Sequence, residues 1–307
     1  MRRLILLFAV LLGCPSTEPD PEPTPADLCA DSPAAGDLRV LATGFSGGTE
    51  GITFSPDGRL FVTSGDLPVE EVLPDGSHRT IAEVPRGVGL AWWGDKLAVA
   101  AFDSGLGDDI GGVWLVDVDA EQSELFVTGI QDANFAAVTP WGTLLVSDDT
   151  GTEDIFEVTD DGDVSVWLSG IPSPNGMGFS ADGAWLYVVT TFGAPAPAWR
   201  VPISGGTAGT PEAMVEWGPG VAPDGLAVGA SGNVFVAQNV AGRIDRVVPG
   251  SAAEATWDTL GDGTAWAASN AFGVGAGWDP CSMYITSLFG EEVYVMGVGE
   301  AGGTLWR

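Results

Sequence analysis

Gly51-Ile52-Thr53-Phe54-Ser55-Pro56-Asp57-Gly58-Arg59-Leu60-Phe61-Val62-Thr63 reads as strand, tight turn, strand. Apolar and β-branched residues flank the turn on both sides, and Asp57-Gly58 supplies the positive φ that a tight hairpin needs. The phrase recurs. Gly176 to Val188 repeats it with one inserted residue, and Gly225 to Ala237 repeats it without gaps. Phe135 to Ser147 is a fourth copy and Gly89 to Ala100 a degenerate fifth. Phe272 to Thr286, with Tyr284-Ile285-Thr286, is a looser sixth. A second hairpin follows each copy, as in Asp154 to Leu168, so each unit holds four strands. Copies begin near 51, 89, 135, 176, 225 and 272, a period in the low forties. Four strands at that period predict one all-β domain, a six-bladed β-propeller over residues 37–307. No segment carries the 3.6-residue apolar period of an amphipathic helix.

A ring of blades stays closed when one blade takes strands from both chain ends. Asp37 to Thr43 reads as a strand ahead of the first copy. Glu292 to Val298, followed by Thr304 to Trp306, reads as the end of the last. The N-terminal strand is therefore expected to complete the last blade. That placement brings Cys29 near Cys281, and those two cysteines are expected to pair as a disulfide.

Ahead of the repeats, Arg2 and Arg3 precede an apolar run from Leu4 to Leu12, the length of a signal-peptide core and too short to span a bilayer. The run ends Leu11-Leu12-Gly13-Cys14. It reads as a lipoprotein signal over residues 1–13, with Cys14 lipidated. An ordinary secretory signal beside a cysteine is the alternative. Residues 14–36 open with alternating proline and acid, a composition that favours an extended tether. These features predict an exported cell-envelope lipoprotein, periplasmic or surface-exposed, that meets the membrane only through its anchor. The chain has 11 Lys+Arg against 42 Asp+Glu and a formal charge of −31. Such a field repels nucleic acid and anionic headgroups. The expected partner is a small molecule, and the expected state a monomer.

The residue entering each innermost strand gives the candidate site. It is Glu50, Asn134, Asn175 and Asp224 in the clear copies, Val88 in the degenerate one, and Asn270 or Ala271 in the last blade. Equivalent positions converge at one end of a propeller channel. Two carboxylates and two amides there would repel without a counter-charge. All four offer oxygen, which suits Ca²⁺ or Mg²⁺ more than Zn²⁺. The competing reading is that Asn175-Gly176 and Asp224-Gly225 are turn formers. It accounts poorly for Glu50 and for the shared register.

Thr49-Glu50-Gly51-Ile52, Ser173 to Ser180 and Ala222 to Val228 resemble the motifs of the SMP-30/gluconolactonase (regucalcin-like) family, and the Glu, Asn, Asn, Asp set is similar to that of diisopropyl fluorophosphatase. The resemblance covers roughly Phe45 to Trp306. It implies a catalytic divalent cation, usually Ca²⁺, with Glu50, Asn175 and Asp224 as ligands and Asn134 as a fourth ligand or substrate contact. The sequence also departs from the family. Where many members carry Arg-x-Asn-Asp-Gly, with the Arg helping to hold a sugar lactone, this chain has Asp132-Ala133-Asn134-Phe135-Ala136.

The implied chemistry is hydrolysis of a lactone or ester, with the cation polarising the carbonyl and Asp224 orienting or deprotonating water. The single histidine, His78, falls in an outer hairpin turn and reads as solvated, so a Ser-His-Asp triad lacks a member. No phosphate loop or dinucleotide fingerprint is present. The competing class is a non-catalytic Ca²⁺-binding propeller serving as an envelope ligand- or protein-binding module. Trp92, Phe135, Phe192 and Trp266 are candidate lining for it.

Overall fold

Six antiparallel sheets surround a central channel in the computed structural model, which describes residues 28–102, 111–150, 152–251 and 254–306. Their innermost strands are Thr49–Phe54, Gly87–Trp93, Ala133–Val138, Pro174–Phe179, Pro223–Val228 and Ala267–Phe272, defining blades one to six. Each runs outward through successive hairpin-linked strands. Blade four carries an extra short strand, Thr207–Ala208. No helix appears among the named elements. The expected six-bladed propeller is the observed fold.

The ring closes as expected: Leu38–Thr43 pairs antiparallel with Glu292–Gly297 as the outermost strand of blade six. Thr304 to Trp306 does something different. These residues form no strand. The tail from Ala301 crosses the far end of the channel, held by Gly303 N donating to Val228 O and by a bridge between Gly229 and Gly302. Glycines at 302 and 303 permit this close passage. A Cβ at Gly302 would lie 2.6 Å from the Phe272 side chain.

Cys29 and Cys281 are joined by a disulfide, with Cα atoms 5.5 Å apart. Ser32 Oγ donates to Asp279 Oδ1 at 2.7 Å, and Gly36 N donates to Gly297 O. The last part of the expected tether therefore lies against blade six. Residues 1–27, with Cys14, the signal segment and the Pro/acid run, are outside the described residues.

Packing between blades is apolar and follows the strand alternation. Phe61, Leu97, Val99 and Val116 join blades one and two. Phe54, Trp278, Tyr284 and Val293 join blade one to blade six. The second strand of each blade is buried along its length, as in Leu60–Ser64 and Val234–Gln238, because neighbouring blades cover both faces.

Candidate functional site

Every innermost strand carries the same irregularity. Pairing with the second strand shifts between the first and fourth residues, at Thr49/Ile52, Gly87/Leu90, Ala133/Ala136, Pro174/Met177, Pro223/Leu226 and Ala267/Asn270. Such a bulge releases the second residue from the ladder and re-aims it. The second residues are Glu50, Val88, Asn134, Asn175, Asp224 and Ala268. In the last blade the equivalent is thus Ala268, and neither Asn270 nor Ala271. The inner strand begins at Ala267, ahead of the point where the repeat is readable. Asn270 sits further down the channel, with its Nδ2 on Phe235 O.

Hydroxyls take over the backbone groups that the bulge frees. Thr63 Oγ1 accepts from Gly51 N and donates to Val88 O in the next blade, both at 2.8 Å. Ser147 Oγ accepts from Phe135 N, and Thr286 Oγ1 accepts from Ser269 N. Thr286 also donates to Glu50 O. The backbone of one site residue is thereby fixed from the adjoining blade.

The glycines after the site residues have a packing role. Gly51, Gly176 and Gly225 lie within strands and not at positive φ, so Asn175-Gly176 and Asp224-Gly225 are not turns. A Cβ at Gly51 would stand 2.0 Å from Val88 O, and one at Gly176 would stand 2.3 Å from Asp224 O. Blade backbones approach too closely there for any side chain. The residue before the strand is strained in four blades. Arg86, Ser173, Ala222 and Trp266 have φ of 52°, 44°, 52° and 55°, a left-handed conformation that costs a non-glycine residue on the order of 1 kcal/mol.

Asn134, Asn175 and Asp224 are buried at the mouth, with Glu50 half-buried beside them. Two residues not singled out in the sequence join them. Asp149 accepts from Asn134 Nδ2 at 3.1 Å and from Ser173 Oγ at 2.5 Å. Asn239 Nδ2 donates to Asp224 Oδ2 at 3.0 Å. Asn134 to Asp149 and Asp224 to Asn239 span the same 15 residues. Both partners follow the second strand of their blade, so the repeat itself held the signal.

The three carboxyls perturb one another. Burial pushes Glu50 well above the usual carboxylate range, and Asp224 and Asp149 push it further. Burial raises Asp224 to about 8, Asp149 adds to this, and hydrogen bonds from Asn239 and Asn175 oppose it. Burial raises Asp149 to about 6 against hydrogen bonds from Ser173 and Asn134. None of the ion pairs among the described residues involves these three acids. The amides show the complementary pattern. Asn134 and Asn175 direct their N–H groups to Asp149 and Asp224, which leaves Asn134 Oδ1 and Asn175 Oδ1 buried with no hydrogen-bond partner. Buried orphan acceptors are costly, on the order of 1–3 kcal/mol each. Neutral oxygens beside crowded carboxylates fit a hard divalent cation, and the donor set contains no sulfur or imidazole.

The other sequence candidates fall elsewhere. His78 is not a solvated turn residue. It stacks on Phe45, with ring centroids 4.0 Å apart, and its Nδ1 lies 2.5 Å from Glu70 Oε2. It is on an outer strand, remote in topology from the channel. Trp92 and Phe135 line a cavity of about 270 Å³ in the far half of the channel, beneath the C-terminal tail. Phe192 and Trp266 stand exposed at the near mouth.

Fold and site define the chain as a six-bladed propeller with an acidic, oxygen-lined pocket at one mouth of its channel. The chain belongs to the SMP-30/gluconolactonase/LRE-like family, whose model matches residues 50–289. A 6-deoxy-6-sulfogluconolactonase of Pseudomonas putida is 30% identical over 189 residues, covering 57% of this chain and 62% of that protein. The chain thus spans less than two thirds of that relative's length. The calcium-binding protein regucalcin of Agrobacterium tumefaciens has the same fold, with a TM-score of 0.70 at 21% identity over 88% of this chain and 97% of that one. An aldose sugar dehydrogenase of Streptomyces coelicolor in its PQQ-bound form also reaches 0.70, at 17% identity over 86% and 99%. Such different chemistry on one scaffold leaves the side chains at the mouth to decide the activity.

Proposed function

We propose that the chain hydrolyses lactones or related esters with a divalent cation, Ca²⁺ first, held by Glu50, Asn175 and Asp224 with Asn134 beside them. The observation that carries this reading is the pair of orphan amide oxygens set among three buried carboxyls. A cation bound there would polarise the substrate carbonyl as a Lewis acid. Asp224 is held in place by Asn239 and serves to orient the attacking water and accept its proton. That proton can return to the ring oxygen as the C–O bond breaks, giving a hydroxy acid. Asp149 is a positioning residue: it holds the Asn134 amide so that Oδ1 faces away from it.

The test is a panel of lactones and aryl esters assayed with chelator and then with Ca²⁺ restored. Hydrolysis that disappears with chelator and returns with Ca²⁺ is expected. Metal binding without turnover of any member would instead favour the non-catalytic binding module.

Anchoring through Cys14 belongs to the same proposal. Cys14→Ser is expected to move the protein from the membrane fraction to the soluble one or to block its processing. Unchanged fractionation and processing would remove the anchor.

A further inference from the structure

One arc of the mouth is apolar. Phe192, Val240, Trp266 and Phe289 are 64%, 51%, 40% and 70% exposed. They come from blades four, five and six, which adjoin in the ring, and all sit on segments that open toward the site. Their attachment to it is direct. Phe192 N donates to Ser173 Oγ, the hydroxyl that also bonds Asp149. Val240 follows Asn239, the residue that holds Asp224. Trp266 lies two residues before Ala268, the site position of blade six, and it meets Phe289 edge-on at 5.1 Å. Across the ring, blade three offers Asp149 and Asp132, and blade two offers Arg86.

Exposed aromatics cost solubility and need a reason when they cluster beside a site. A polyhydroxylated ring placed over Asp224 would set its hydroxyls against Phe192 and Trp266, which offer no acceptor and at most one N–H. The third-blade position from which an arginine would hold such a ring is Asp132 in this chain. We propose that Phe192, Val240, Trp266 and Phe289 form a shelf that seats the hydrocarbon part of an amphiphilic lactone or ester, so that the preferred substrates carry an alkyl, acyl or aryl substituent. This rests on the hydrolase reading above and narrows it.

The experiment measures kcat/KM with saturating Ca²⁺ for glucono-δ-lactone and for γ-lactones of increasing alkyl length. Each methylene that reaches the shelf should raise kcat/KM by about two- to fourfold, as expected for partial to full burial of a CH₂. Phe192→Ser and Trp266→Ser should flatten that slope. Val166→Ser, at an exposed valine on the outermost strand of blade three, should not. Hydrolysis with no dependence on chain length, or with glucono-δ-lactone preferred, would overturn the shelf and leave the hydrolase reading intact. If nothing is hydrolysed, calorimetry with γ-decalactone separates the two. Binding weakened by Phe192→Ser would keep the shelf and end the hydrolase reading, whereas no binding would end both. A flat slope together with sedimentation on neutral phosphatidylcholine vesicles that Trp266→Ser abolishes would reassign the patch to a bilayer and overturn the proposal.

Discussion

Asp224→Asn is expected to lower kcat/KM for lactone hydrolysis by about 10²–10⁴, the range lost with a general base, and saturating Ca²⁺ should not restore it. The substitution keeps volume and one oxygen donor. It removes a negative charge and the group that takes the water proton. Asn239 Nδ2 would still find an oxygen at position 224, so the mouth should keep its shape. Metal affinity should fall as well, because one of two charged ligands is gone. Titrating Ca²⁺ into the variant separates the losses: full recovery of rate at saturation would show that Asp224 serves the metal only. A variant that binds Ca²⁺ yet stays inactive is the expected result. Asp149→Asn should act differently. It touches neither proposed ligand oxygen, so its effect should appear in KM or metal affinity more than in kcat.

The second large effect concerns stability, and its direction follows from the acids. Without a cation, Asp224 titrates near 8 and Asp149 near 6, with Glu50 raised well above its usual range. In the unfolded chain they return to about 4. The folded state therefore holds more protons between those limits. The stability these groups contribute is complete below pH 4 and is lost as pH rises toward 8. A cation replaces the protons. Its stabilisation should be small at pH 5, where protons compete, and large at pH 8. At a hundredfold excess over Kd, mass action supplies about 2.7 kcal/mol, which for a domain of this size is a rise of about 5–10 °C in Tm. Scanning calorimetry at pH 5 and pH 8, with chelator or with Ca²⁺, checks this. An equal shift at both pH values would mean that these carboxyls are not the ligands.

Much of the site was legible because a repeat makes positions comparable. Glu50, Asn134, Asn175 and Asp224 stand at one register, and no contact map is needed to see it. Two readings failed for identifiable reasons. The turn interpretation of Asn175-Gly176 and Asp224-Gly225 relied on local backbone preference. Those glycines answer instead to the carbonyl of a neighbouring blade, roughly fifty residues away in the case of Gly176 and Asp224. The last blade was placed on Asn270 because its copy is degenerate. The bulge at Ala267/Asn270 put Ala268 there.

The sequence by itself determined the all-β class, the number of blades, the closing strand and the four oxygen-bearing residues at the channel mouth. Each is a consequence of periodicity, and periodicity is a property of the linear chain. Tertiary structure alone decided which side of each amide faces the channel, since only the placement of Asp149 and Asp224 takes up the N–H groups and leaves Asn134 Oδ1 and Asn175 Oδ1 bare. It also decided that Asn239 holds Asp224, that the C-terminal tail crosses the far end, and that Trp92 and Phe135 part company with Phe192 and Trp266. Those outcomes depend on contacts between blades. A hydrogen bond or a 2 Å backbone approach across the ring joins residues whose separation along the chain carries no trace of it.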